Sequence, residues 1–225
     1  NIEQRMHFVD DLSHKNRLLD HLLRDASIDQ AVVFTATKRD ADTVSDRLNV
    51  AGLNAAALHG DMHQGARNRT LTAMRRGQVR ILVATDVAAR GIDVPTITHV
   101  FNYDLPKFAE DYVHRIGRTG RAGRNGLAIS LVHHAEHFNV RKIERFTKQL
   151  IPVAVVEGHE PTRRPSPAKP RPTGKPGWKG GDNRQGKPFA PRREGLPRTP
   201  HHEGPKSGHG GGGGANANRR AYGDR

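Results

Sequence analysis

Between His114 and Arg121 the chain carries four basic or titratable side chains in eight residues: His114, Arg115, Arg118 and Arg121. Gly117 and Gly120 lie between them and remove side-chain bulk, so long guanidinium groups can converge on one point. Arg118 and Arg121 are three residues apart and would project the same way from a helical turn. Two planar, permanently charged forks suit a multiply charged phosphate. Without an anion such a cluster repels itself, which separates it from an ordinary solvated Arg-Gly turn. A second run lies upstream. The apolar stretch from Ile81 leads into Thr85, Asp86, Arg90, Gly91 and Asp93. Thr85 can donate its hydroxyl, and backbone N–H groups there can meet a phosphate oxygen. Gly91 lets the backbone pass close to a ligand. Asp93 can accept a hydrogen bond from a ribose hydroxyl. Each residue alone fits a strand end with Asp86 capping a short helix. The ordered set points instead to a phosphate or nucleotide site.

These residues need elements to hold them. Short apolar runs at Ala31–Thr35, Ala55–Leu58, Ile81–Thr85, Ile97–Asn102 and Leu127–Val132 read as buried strands. Helical patterns lie between them. Leu18, Leu19, Leu22 and Leu23 form one stripe, and Ala41, Val44 and Leu48 another. Gln64–Arg76, Phe108–Ile116 and Glu136–Leu150 complete the set. Strands alternating with helices imply βαβ units and a mostly parallel sheet, hence an α/β domain. Ligands of such sheets bind at the carboxyl ends of the strands. The loops after Thr35, Leu58, Thr85 and Asn102 are therefore where chemistry is expected.

The composition shifts near Gly158. Residues 158–225 hold 11 of the 14 prolines and 15 of the 24 glycines. They also hold 15 of the 37 Lys and Arg but 5 of the 23 Asp and Glu, which leaves a net +10 of the total +14 there. A segment so poor in aliphatic residues cannot offset its ordering entropy, so a folded domain over 1–157 and a disordered basic tail over 158–225 are expected. The surplus charge favours a polyanionic partner. Absent cysteines exclude a disulfide framework and a thiolate metal site, and fit a reducing, cytoplasmic setting. No apolar run approaches the roughly 18 residues of a membrane span. The polar opening at Asn1 gives no sign of a secretory signal, and the chain reads as a fragment of a longer protein. His201, His202 and His209 could bind metal, but a solvated linker is the favoured reading and no metal site is expected.

The two runs resemble motifs V and VI of the DEAD-box ATP-dependent RNA helicases: Ala-Thr85-Asp-Val-Ala-Ala-Arg90-Gly91-Ile-Asp93 and His114-Arg-Ile-Gly-Arg118-Thr-Gly-Arg121. Val32-Val-Phe-Thr35 followed by Thr37-Lys38 resembles motif IV. Leu58-His-Gly60-Asp-Met62 followed by Gln64 and Arg67 resembles the region with a Gln-x-x-Arg element. The opening Gln4-Arg-Met-His-Phe-Val is similar to the bacterial RhlE-like branch.

The resemblance implies a RecA-like three-layer fold and the second of two RecA-like domains that close over ATP and RNA. It makes Arg118 and Arg121 arginine fingers to the γ-phosphate. Gly91 and Asp93 become nucleotide contacts, and His114 and Arg115 couple the two domains. Thr37, Lys38, Gly60, Arg67, Thr85 and Arg90 fall where the family grips the RNA backbone. Neither a phosphate loop nor an Asp-Glu-Ala-Asp run occurs in the chain, so Mg²⁺ would be held mainly by the first RecA-like domain. The chain alone is then expected to be inactive as an ATPase. Two alternatives stay open: the second lobe of a related DNA helicase, and a non-enzymatic RNA-binding module. Arg163-Arg164, Arg192-Arg193 and Arg219-Arg220, interspersed with Trp178, Phe189 and Tyr222, suit a non-specific RNA tether. Deleting 158–225 is expected to weaken RNA affinity and flatten its salt dependence. A titration of labelled RNA at several salt concentrations measures both.

Overall fold

The computed structural model describes residues 1–162; the expectations for the basic tail fall outside them. Six strands form one sheet in which every pairing is parallel. In chain order they are β1 (Ile2–Val9), β2 (Gln30–Phe34), β3 (Ala55–Leu58), β4 (Ile81–Ala84), β5 (Ile97–Asn102) and β6 (Gly126–His133). Their spatial order is β1-β6-β5-β2-β4-β3. The helices are α1 (Leu12–Leu23), α2 (Lys38–Val50), α3 (Gln64–Arg75), α4 (Asp86–Ala89), α5 (Ala109–Ile116) and α6 (His137–Thr147). This is the α/β three-layer arrangement that the alternating pattern implies.

Both faces of the sheet are covered, and each central strand divides its side chains between them. Ala31 and Val33 of β2 and Ile81 and Val83 of β4 pack with Leu18, Leu19, Val44 and Leu48 from α1 and α2. Val32, Phe34, Leu82 and Ala84 point the other way, toward Met74 of α3 and Ala88 of α4. On that second face, Met6, Phe8 and Val132 meet Tyr112, Ile116, Val140 and Ile143 of α5 and α6. Double coverage explains why the strands read as unbroken apolar runs.

One strand escapes the sequence reading. β1 pairs with β6 from Ile2↔Gly126 to Val9↔His133 and forms an edge of the sheet. Its first half alternates between half-buried and exposed positions, and Glu3, Gln4 and Arg5 disguise it. The returning chain covers its outer side. Met6 N donates to Pro152 O at 2.9 Å, and Ala154 N donates to Met6 O at 2.8 Å.

The packed chain also runs past residue 157. His14 Nε2 lies 2.8 Å from His159 O, and Thr162 bonds the Asp10 carboxylate through both its N and Oγ1 at 2.8 Å. No helix among the described residues is long and apolar enough to cross a membrane.

Burial under the sheet edge pushes the His7 imidazole down to about 4, helped by the nearby Arg5 charge. The folded chain therefore binds this proton less readily than the unfolded chain. The stability that His7 contributes is full above about pH 6.5 and is lost as pH falls toward 4, a swing on the order of 2–3 kcal/mol. His7→Leu removes the titration and is expected to flatten the stability profile over that window, as read by urea unfolding at stepped pH.

Candidate functional site

All six strands run the same way, so their carboxyl ends form one rim, and the loops carrying the motifs leave from it. Arg115 organises this rim. It is buried, at 2% exposure, near the end of α5. Its Nε and Nη2 donate to the two Asp86 carboxylate oxygens at 2.6 and 2.7 Å, a bidentate fork. Its Nη1 donates to Asp104 O at 2.6 Å and Asn102 Oδ1 at 3.2 Å, and the guanidinium lies 5.1 Å from the Phe34 ring centroid.

The Asp86 carboxylate thus ties the start of α4 to the end of α5 instead of capping α4. The N-cap position belongs to Thr85, and its hydroxyl makes no capping bond. All of these Arg115 bonds lie within the domain.

Asp104 extends the network. Its Oδ1 accepts from the buried Lys15 ammonium at 2.8 Å, and its Oδ2 accepts from Ala36 N at 2.9 Å. Lys15 Nζ also sits 4.0 Å from the Tyr103 ring centroid. Burial pushes the Tyr103 phenol up to about 12, and the Asp104 charge adds to that shift. Asn102, Asp104 and Lys15 are site-shaping residues that sequence reasoning did not single out. The signal was the Asn-Tyr-Asp run closing β5 and a lysine in the apolar stripe of α1.

Arg118 and Arg121 follow α5 in tight turns, not within the helix. They converge as their spacing implies. Arg118 Nη1 donates to Ile92 O at 2.9 Å, and Arg121 Nη1 reaches the same oxygen at 3.5 Å. Arg121 Nη1 also donates to Asp93 Oδ1 at 2.8 Å. Desolvation first, and the Arg121 charge second, make the Arg118 guanidinium less basic than usual. The pair is thus an under-neutralised cationic site.

Two glycines permit the geometry. Gly91 has φ +76 and open space where a Cβ would point. Gly120 has φ +68, and a Cβ there would come 2.7 Å from Ile2 Cγ1. A cleft of about 140 Å³ opens beside the arginines, lined among others by Arg90, Gly91, Asp111, His114 and Arg118. His114 is exposed, and its carbonyl accepts from Arg118 Nε at 3.3 Å. Arg90 lines the same cleft as Arg118.

The remaining residues sit farther along the rim. Thr37 caps α2 by accepting from Asp40 N at 3.1 Å. Lys38 pairs with Asp61 at 2.7 Å, both more than half exposed. Its attraction lowers the Asp61 carboxyl below its ordinary value, mainly through the hydrogen bond. Gly60 lies beside them with open space around its Cα. Arg67 Nη2 donates to Ala88 O at 2.6 Å and so joins α3 to the end of α4. Thr85 is half-buried at the end of β4. Among the described residues, no group of three or more His, Asp or Glu side chains is placed to hold a metal ion.

A family profile described as helicase conserved C-terminal domain matches residues 14–123. The domain also superposes on the Escherichia coli DEAD-box protein SrmB, solved bound to regulator of ribonuclease activity A. That match has a TM-score of 0.72 and 42% identity, and covers 75% of this chain and 99% of that one. The chain belongs to the DEAD-box RNA helicase family. Curated ATP-dependent RNA helicase SrmB of E. coli K12 is 44% identical over 166 residues, which cover 73% of this chain and 37% of the relative. The chain therefore spans a little over a third of that DEAD-box protein. Saccharomyces cerevisiae Dbp5, solved bound to RNA and ADP BeF3, is similar with a TM-score of 0.62 and 35% identity, covering 68% of this chain and 41% of that one. These relatives specify the DEAD-box family and not the RhlE-like branch.

Removing one partner of a buried ion pair strands the other charge, at a typical cost of about 3–5 kcal/mol. Asp86→Ala strands the buried Arg115 and is expected to lose stability on that scale; Arg115→Ala leaves the partly exposed Asp86 open to hydration and is expected to lose less. Arg115→Lys is expected to recover only part of it, because an ammonium cannot make the two-pronged contact. Urea unfolding of the three variants checks this.

Proposed function

We propose that this DEAD-box domain is the C-terminal lobe of an ATP-dependent RNA helicase that locally unwinds or remodels RNA. The carrying observation is the convergence of Arg118 and Arg121 on the Ile92 carbonyl, with the Asp93 carboxylate partly neutralising one of them. Such a pair is built for an anion with several negative charges. A γ-phosphoryl group undergoing transfer is that kind of anion. Arginine fingers in phosphoryl transfer contribute roughly 10³–10⁵ in rate.

In this reading Gly91 lets the backbone approach the nucleotide, and the outer oxygen of Asp93 is free to meet a ribose hydroxyl. His114, exposed at the cleft mouth, would face the first RecA-like domain. Arg115 would act on the same coupling from beneath, by holding α5 and the Asp86 loop as one body. Mg²⁺ would neutralise phosphate charge in this chemistry, and the first domain would supply most of its ligands. Thr37, Lys38, Gly60, Arg67, Thr85 and Arg90 would follow the RNA backbone. Phosphate contacts carry little sequence information, so binding would be largely sequence-indifferent. The Lys38–Asp61 pair supports this assignment. An exposed ion pair is worth about 0–1 kcal/mol, so Lys38 can exchange it for a phosphate at low cost. A cytoplasmic location would follow from the RNA substrate.

Arg121→Ala in the intact parent protein is expected to lower RNA-stimulated ATP hydrolysis by at least about 10³-fold while retaining most RNA affinity. Parallel measurement of phosphate release and RNA binding separates the two effects. Equal loss of both would make Arg121 an RNA contact instead. The 225-residue chain alone is expected to show no RNA-stimulated hydrolysis.

A further inference from the structure

The last helix, α6, has one face with no role in the cleft. Val140 and Ile143 bury its inner side. Outward it presents Phe138 at 58% exposure and Phe146 at 51%, and Leu150 follows at 83%. Arg141, Lys142, Arg145 and Lys148 are all exposed around them. None of these four cations makes an ion pair among the described residues. The two local acids are turned to backbone groups: Glu136 accepts from His133 N at 3.1 Å, and Glu144 from Ile151 N at 3.4 Å. Lys142 Nζ lies 5.5 Å from the Phe138 ring centroid, so charge and aromatic face are presented together. A groove runs between His137, Phe138, Arg141, Glu144, Arg145 and Leu150.

We propose that this face of α6 is a second, auxiliary binding surface for single-stranded RNA. It rests on the RNA-binding reading above and adds a site that the motif residues do not include. Exposed rings beside unpaired cations are the two parts of a non-specific single-strand platform: bases stack and phosphates are neutralised. Phe138 and Phe146 are eight residues apart, which at the helical rise is roughly 12 Å, with Arg141, Lys142 and Arg145 between them. The chain's own following segment is a poor occupant, because residues 158–225 carry a net +10 and would be repelled. Position agrees as well. α6 starts just beyond the carboxyl end of β6, on the same rim as Lys38 and Thr85 but toward the opposite edge of the sheet. Two strand spacings separate β6 from β2 and three separate it from β4, roughly 10–14 Å, about two nucleotides of extended strand.

The test uses the 225-residue chain, a fluorescent 12-nucleotide uridine single strand, and heparin as an anion without bases. Three variants are compared: the double variant Phe138→Ala/Phe146→Ala, the double variant Arg141→Gln/Arg145→Gln, and Lys38→Ala. All five side chains are exposed, so folding is not at stake. The aromatic variant is expected to weaken uridine binding roughly five- to tenfold and leave heparin binding unchanged. The arginine variant is expected to weaken both and lower the salt slope by about 1–2. Photo-crosslinking of a 4-thiouridine strand is expected to label residues 138–146. Unchanged uridine affinity in both α6 variants, with Lys38→Ala still weakened, would overturn the α6 site and leave the motif reading standing. That face would then fit an acidic protein segment instead. If none of the three variants weakens RNA binding, both readings fail.

Discussion

The buried fork between Arg115 and Asp86 is the contact on which the rim depends. It joins the end of α5 to the start of α4, two segments that are not neighbours in sequence. Everything that follows α5, including both converging arginines, inherits its position from that anchor. The same guanidinium reaches the end of β5 through Asn102 and Asp104, and Asp104 reaches Lys15 on α1 and the backbone just before Thr37. A continuous run of hydrogen bonds thus links the end of α5 to the β2–α2 loop. Buried charges are costly unless fully bonded. Here each one is met by an opposite charge or a carbonyl, so the network acts as a rigid joint.

Electrostatics divide the cations of the site into two kinds. Arg115 and Lys15 are buried and fully committed. Arg118, Arg121 and Lys38 keep partial or exposed partners that an incoming anion can replace. A phosphate arriving at the two arginines competes with the Ile92, His114 and Gly117 carbonyls and with one Asp93 oxygen. This division separates residues that build the site from those that serve it, although all are basic and most lie within a few residues of one another.

Much of this was legible from residue order. The strand ends at Phe34, Leu58, Ala84 and Asn102 fall within a residue of the apolar runs, because a doubly covered sheet leaves a plain signature. The convergence of Arg118 and Arg121 was legible from their spacing and the glycines between. Three things were not. β1 was hidden because an edge strand needs only one apolar side at its outer end, and Glu3, Gln4 and Arg5 read as surface. The destination of Arg115 was hidden because periodicity does not tell a buried, paired guanidinium from an exposed one. The reach of the domain to Thr162 was hidden because Pro161 and Gly158 resemble linker residues, while the Asp10 carboxylate that holds them is about 150 residues away.

That last contact sets a direction. Asp10 follows the carboxyl end of β1, so Thr162 is pinned on the rim and not on the far side of the sheet. Lys38, which follows β2, lies at that same end of the sheet. The clasp therefore ties the first strand of the domain to its last described residue, so loosening either end exposes the same edge of the sheet.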